Sequence, residues 1–222
     1  MFFLQIKYFT NWLFTMQNSN FKKVFLIFFL CFFGNYVSWA VDYNSSLSTG
    51  WYHNLFTKTD GSLWGAGRNN QGQLGDGTTT DRASPVKIVD KDVIAVAAGT
   101  YHSLFIKSGG SLWAMGQNNY GQLGDGTTTA RSSPVQILSS GVTAVVADYH
   151  TMFLKSDGTL WVMGRNNYGQ LGNGNTTNQS TPVQILTGVS TMAAGFSHSQ
   201  AVKTDGSLYA WGRNHKGQLG DG

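Results

Sequence analysis

Asn69-Asn70-Gln71-Gly72-Gln73-Leu74-Gly75-Asp76-Gly77 is the stretch that decides the fold, because the chain writes it four times. It returns over residues 118–126, 166–174 and 214–222, with starts 49, 48 and 48 residues apart. His53, His102, His150 and His198 keep this spacing. So do Leu63-Trp64, Leu112-Trp113, Leu160-Trp161 and Leu208-Tyr209, and the prolines Pro85, Pro134 and Pro182. A period near 48 with this many registered positions marks a repeat architecture, in which each supersecondary unit buries its faces against its neighbours.

Each unit reads as β. In the second, residues 93–98 form a short apolar run, and residues 103–107 are β-rich with apolar side chains on both faces. Gly109-Gly110, replaced by Asp60-Gly61, Asp157-Gly158 and Asp205-Gly206 elsewhere, predicts a tight hairpin of the two-residue kind. Residues 112–115 are the return strand, and after a Gly-rich loop residues 134–138 supply the fourth strand. No helical apolar period runs through residues 41–222. Four short strands per unit, apolar on both sides, describe sheets sandwiched between copies of themselves. A radial β-propeller provides that packing.

The recurring Ala-Ala-Gly-x-x-His-Ser, Asp-Gly-x-Leu-Trp and Gly-x-Asn-x-x-Gly-Gln-Leu-Gly-Asp-Gly segments resemble the regulator of chromosome condensation repeat family, over residues 50–222. The resemblance implies an all-β propeller of four-stranded blades, typically about seven, each of roughly 50 residues. Only about four are present: repeat units 42–90, 91–139, 140–187 and 188–222, the last stopping before its Pro-Val-Gln-Ile strand. The first unit opens on Asn-Ser-Ser-Leu-Ser-Thr, which predicts a weak first strand. Seven blades at this period need roughly 340 residues. The missing blades are expected either from a longer reading frame or from another chain through self-assembly. The resemblance implies the fold and not the activity, since its members range from a guanine-nucleotide exchange factor to secreted inhibitors.

Residues 1–40 are a different object. They hold ten of the 14 Phe, and Lys22-Lys23 precede an apolar run over residues 24–33 and then Ser38-Trp39-Ala40. A basic stretch, an apolar core and a small-x-small site predict a signal-peptide helix cleaved after Ala40, with Met16 as the better-proportioned start. An uncleaved anchor is the alternative, and it is the one route by which the chain meets a membrane. Leu30 stands before Cys31 where a lipoprotein signal needs a small residue, which argues against lipidation. Cleavage leaves residues 41–222 without cysteine, excluding sulfur redox chemistry there. A secreted, periplasmic or cell-surface location follows from this reading.

The 222 residues carry 15 Lys+Arg against 11 Asp and no Glu. Removing Lys7, Lys22 and Lys23 with the leader leaves 12 against 11, no electrostatic footprint for nucleic acid. The sequence implies no cofactor. Four His about 48 residues apart fall on separate blades, too spread for tetrahedral zinc. The loop from Asp76 to Asp81 hints at calcium but lacks alternating carboxylates, so an Asx-turn is expected. Asn44, Asn175 and Asn178 fit the glycosylation sequon.

Residues present in every unit build blades. His53, His102, His150 and His198 are expected to be hydrogen-bonded structural groups. Gln73, Gln122, Gln170 and Gln218 are expected to bond loop backbone, and Leu74, Leu123, Leu171 and Leu219 to fill the gaps between blades. Function belongs where units differ. Trp51-Tyr52, Thr100-Tyr101, Asp148-Tyr149 and Phe196-Ser197 occupy the loop joining the first two strands, which places them on one face. Trp51, Tyr52, Tyr101, Tyr149 and Phe196, with Asp148 as a polar contact, are the candidate partner-binding residues; packing of these rings against neighbouring loops is the competing reading. In the secreted inhibitors of the family the corresponding loops are similarly aromatic and contact a target enzyme. A second variable set, Gln71, Tyr120, Tyr168 and Lys216, reads as loop surface. The chain is thus read as an exported, non-catalytic module binding a partner protein. The alternatives are a guanine-nucleotide exchange factor-like regulator of a small GTPase and an Asp-dependent hydrolase.

Overall fold

The computed structural model describes residues 46–222; the leader expected over residues 1–40 lies outside them. The described residues form fifteen strands and no helix. Strands β1 (Leu47–Thr49), β2 (His53–Thr57), β3 (Leu63–Gly67) and β4 (Arg82–Val89) make one antiparallel meander. Strands β5 (Val93–Ala98), β6 (His102–Lys107), β7 (Leu112–Gly116) and β8 (Arg131–Leu138) make the second. The third holds β9 (Val142–Ala147), β10 (His150–Lys155), β11 (Leu160–Gly164) and β12 (Gln179–Leu186). The fourth, three-stranded, holds β13 (Val189–Ala194), β14 (His198–Lys203) and β15 (Leu208–Gly212). The Ser- and Thr-containing opening of the first unit gives a β1 of only three residues.

The Asp-Gly hairpins differ from expectation in their geometry. Lys58 N–H donates to Ser62 O (3.0 Å) and Gly61 N–H to Lys58 O (2.9 Å), closing a three-residue loop rather than a two-residue turn. Gly61 alone takes the left-handed conformation, at φ 77°. Asp60 Oδ1 instead accepts the N–H of Ser62 at 2.8 Å, which holds the aspartate in the ordinary right-handed arm of the turn. The loop after β3 is built on Asn69, whose Nδ2 donates to Asp76 Oδ1 (3.0 Å) and the carbonyls of Thr78 (3.1 Å) and Thr80 (3.2 Å). Asp76 forms the expected Asx-turn, its Oδ1 accepting from Thr78 N–H at 3.0 Å. Burial pushes the Asp76 carboxyl up, but the bonds from Thr78, Arg82 and Asn69 outweigh it and hold the group below its ordinary range.

Burial on both faces of each sheet makes the blades stack. Leu104 and Ile106 of β6 pack with Val142, Val145, Phe153 and Met163 of the third sheet, while Phe105, between them in sequence, packs back on Leu55 and Leu63 of the first. The same alternation joins the third sheet to Val189 and Ala201 of the fourth. Leu74, Leu123 and Leu171 are fully buried, each removing apolar surface worth about 1.5–3 kcal/mol. The Gln side chain before each of these leucines, and Gln218 in the fourth unit, restrains its own loop: Oε1 of Gln73, Gln122, Gln170 and Gln218 accepts the N–H two residues earlier at 2.9–3.0 Å. The first strands of all four sheets (β1, β5, β9 and β13) line one common space of about 370 Å³, so the sheets fan round an axis rather than stacking along a line.

Candidate functional site

Where the first two strands of each unit join, a short backbone bond closes the loop. Gly50 N–H donates to His53 O at 2.8 Å, Gly99 to His102 O at 2.9 Å, and Gly195 to His198 O at 3.0 Å. In the third unit Asp148, not Ala147, makes this bond, to His150 O at 3.0 Å. Ala147 pairs with Thr151 in the ladder as Ala98 pairs with Ser103. The third loop is therefore one residue shorter, and Asp148 stands in the glycine's place instead of beside Thr100 in register. It reaches that neighbour through space: Thr100 N–H donates to Asp148 O at 3.0 Å, and Thr100 Oγ1–H to Asp148 Oδ1 at 2.7 Å. Burial raises the Asp148 carboxyl pKa, against the opposing pull of the Thr100 bond.

The rings on these loops meet in a row. Trp51 contacts Tyr52 at 5.5 Å and Tyr101 at 5.9 Å between centroids; Tyr101 contacts Tyr149 at 6.3 Å, and Tyr149 contacts Phe196 at 4.6 Å. Most of these pairs are edge-to-face, the arrangement favoured by ring quadrupoles. Each ring packs on a neighbouring loop, as the competing reading holds, yet the row still faces solvent. Trp51 is 56% exposed, Tyr52 57% and Phe196 46%. Tyr120, read as plain loop surface, joins the row at 6.4 Å from Tyr149. Gln71 and Lys216 donate their backbone N–H groups to Gln73 and Gln218.

The residues that sequence reasoning passed over are arginines. Arg68 lies 5.4 Å from the Tyr52 ring and 5.6 Å from that of Tyr101. Arg165 lies 5.2 Å from Tyr120 and 5.1 Å from Tyr149, and Arg213 lies 4.6 Å from Tyr168. Their positions follow from the backbone. Arg68 N–H donates to Tyr52 O (2.8 Å), and Arg165 N–H to Tyr149 O (3.4 Å), so the residue after β3 or β11 is clamped beside the loop aromatic. Gly164 permits this: its φ is +105°, and a Cβ there would come within 3.0 Å of His150 Cα. The signal lay at the variable position of Gly-x-Asn, which reads Arg68, Gln117, Arg165 and Arg213.

The repeated polar residues sit behind this face. His53 Nε2 lies 2.8 Å from Ser103 Oγ, His102 Nε2 2.9 Å from Thr151 Oγ1, and His150 Nε2 2.7 Å from Ser199 Oγ. Each hydroxyl in turn donates to a carbonyl, of Gln73, Gln122 or Gln170, at 2.7–2.8 Å. Burial drives the imidazole pKa of His53 down to about 4 and those of His102 and His150 down to about 3, so all three are neutral near pH 7. Among the described residues no three His, Cys, Asp or Glu converge on a metal-sized site.

Residues 39–222 match the model of the RCC1-like domain. The chain belongs to the RCC1-like domain family. Human WBSCR16 resembles this RCC1-like domain with a TM-score of 0.68 at 25% identity, over 75% of this chain and 46% of that one. Yeast RCC1 (Prp20), in its structure with Kap60 bound, gives a TM-score of 0.72 at 23% identity, over 84% and 47%. Prp20p from Saccharomyces cerevisiae, in a structure reported with its binding properties to Gsp1p and histones, gives 0.67 at 24%, over 80% and 47%. The RCC1-like domain described here spans about half the length of these solved relatives, and at such identity the yeast likeness is one of fold. No curated protein matches the sequence.

Proposed function

We propose that this chain is an exported, non-catalytic interaction module that binds a partner protein through the aromatic row of its blade loops. The observation that carries the reading is the unbroken chain of rings from Trp51 through Tyr101 and Tyr149 to Phe196, on four different blades. Rigid, half-exposed aromatics are the side chains that anchor protein interfaces, where one can contribute 2 kcal/mol or more. Asp148 belongs to the face by tying the second and third loops together. The leader read from residues 1–40 supports export, and a product beginning at Val41 tests it.

Most of the described carboxylates are committed to the fold, which weighs against a hydrolase. Asp60, Asp157 and Asp205 are spent on hairpin turns, Asp76 and Asp125 on Arg82 and Arg131, Asp81 on Asn69, and Asp148 on Thr100. The experiment is capture from the native exported proteins. Wild type and a variant with Trp51, Tyr101, Tyr149 and Phe196 replaced by Ala are compared, with circular dichroism to verify the fold. Loss of a saturable partner in the variant is expected. Equal capture by a folded variant removes the face from the interaction.

A further inference from the structure

The described residues contain five arginines, and they divide by what they touch. Arg82 and Arg131 form ion pairs with Asp76 and Asp125, at 2.6 and 2.7 Å. Arg68, Arg165 and Arg213 form no ion pair and donate no side-chain hydrogen bond; each guanidinium lies against tyrosine rings instead. Arg165 Nε is buried with no partner at all. Buried donors left unbonded are uncommon in a folded protein, and among the arginines beside these rings Arg165 alone carries one. Stacking on a ring leaves the in-plane N–H groups of a guanidinium free, and their fork matches the two oxygens of a carboxylate.

The charge of the face agrees. Arg68 and Arg165 bracket the Tyr101–Tyr149 pair, and the one carboxylate on these loops, that of Asp148, is already bonded to Thr100. We propose that Arg68 and Arg165 are receptors for carboxylates, so that the partner presents an acidic segment across the aromatic row. This rests on the reading of the row as a protein-binding face and specifies the chemistry of what it binds. A protein carboxylate fits better than a polyphosphate. Phosphate-tracking surfaces need a run of cations, whereas here each arginine is isolated between rings and residues 41–222 are nearly neutral, with 12 Lys+Arg against 11 Asp.

Gln117 occupies the corresponding position of the second blade, with its N–H on Tyr101 O at 2.9 Å, so Arg→Gln is a substitution this backbone accepts. The test compares R68Q/R165Q with a charge-matched control, K87Q/K91Q, for binding to poly-L-glutamate. At least tenfold weaker binding in R68Q/R165Q, with the control unchanged, is expected. Equal losses in both variants reduce the effect to net charge and overturn the proposal. A single-stranded oligonucleotide that displaces poly-L-glutamate from the wild type and binds more tightly also overturns it. Native capture separates the two readings: if the four-aromatic variant loses the partner while R68Q/R165Q keeps it in full, the face stands and the carboxylate receptors do not.

Discussion

His102 of the second blade and Thr151 of the third are joined at 2.9 Å across the blade boundary, and the direction of this bond is determined by its surroundings. Thr151 Oγ1 gives its only proton to Gln122 O at 2.8 Å. The hydroxyl must therefore accept from the imidazole, which places the histidine proton on Nε2 and leaves Nδ1 bare. That buried Nδ1 has no partner, so a second proton there finds no acceptor. One neutral tautomer thus links a strand of one blade to the hydroxyl of the next and to the Gln-Leu loop between them. Thr151→Val keeps the shape and deletes both bonds, stranding the Nε2–H and the Gln122 carbonyl. A loss of about 1–3 kcal/mol in urea unfolding is expected, and a loss under 0.5 kcal/mol, roughly the scatter of surface substitutions, refutes the link.

The same geometry sets a pH dependence. Folding lowers the imidazole pKa values of His53, His102 and His150 from 6.5 to about 4, 3 and 3. The unfolded chain then binds protons that the folded one refuses. Their contribution is complete above pH 6.5 and is lost as the pH falls through about 4 for His53 and about 3 for His102 and His150. While the difference is a full proton, each imidazole costs about 1.4 kcal/mol per pH unit. Denaturant midpoints measured from pH 7.5 to 5 should fall steeply, and His102→Gln should flatten the slope by about one third. A flat profile contradicts the neutral latch.

Asp148 runs in the opposite sense. Its carboxyl pKa is raised by burial, so ionisation opposes folding and acidification removes that cost. Asp148→Asn keeps the acceptor for Thr100 and abolishes the charge. Stability at pH 7.5 should hold or rise, by less than about 1 kcal/mol for a half-buried group. Asp148→Ala, which leaves Thr100 Oγ1 without its acceptor, should lower it. Unfolding curves of the two variants at pH 7.5 decide this, and a clear loss in the Asn variant shows that the negative charge itself is needed.

The 48-residue period made the blades and their stacking legible, because a residue repeated in every unit has to serve every unit. His102, Gln122 and Leu123 were readable for that reason. What the period hid is local and unrepeated. The strands β5 and β9 are 49 residues apart while His102 and His150 are 48 apart, so one residue is missing between them. Alignment on His and Gly put Asp148 beside Thr100, whereas the ladder puts it where Gly99 stands. The arginines escaped because Gln117 breaks their series, and a position that varies inside a conserved-looking loop reads as surface. Only the clamp of Arg68 N–H on Tyr52 O brings that position under the rings. The hairpin geometry was similarly out of reach: Asp-Gly suits two loop lengths, and the bond from Ser62 N–H to Asp60 selects the longer.

Fold and face should separate under mutation. Leu123 is fully buried between the second and third blades, and Leu123→Ala leaves a cavity that costs about 2–5 kcal/mol. Trp51 is 56% exposed, its ring contacts being the tilted ring of Tyr52 and the edge-on ring of Tyr101. Ring pairs of this kind contribute about 0.5–1.5 kcal/mol beyond their burial. Trp51→Ala should therefore unfold within about 1.5 kcal/mol of wild type while weakening partner capture tenfold or more, since losing about 2 kcal/mol of anchor energy is more than a decade in affinity. Leu123→Ala, assayed at a temperature where it remains folded, should capture as wild type does. Urea unfolding and partner titration on the two variants give four numbers, and the crossed pattern is the expected result. If Trp51→Ala instead loses stability as Leu123→Ala does and captures normally, the ring belongs to the packing of the loops and the partner sits elsewhere.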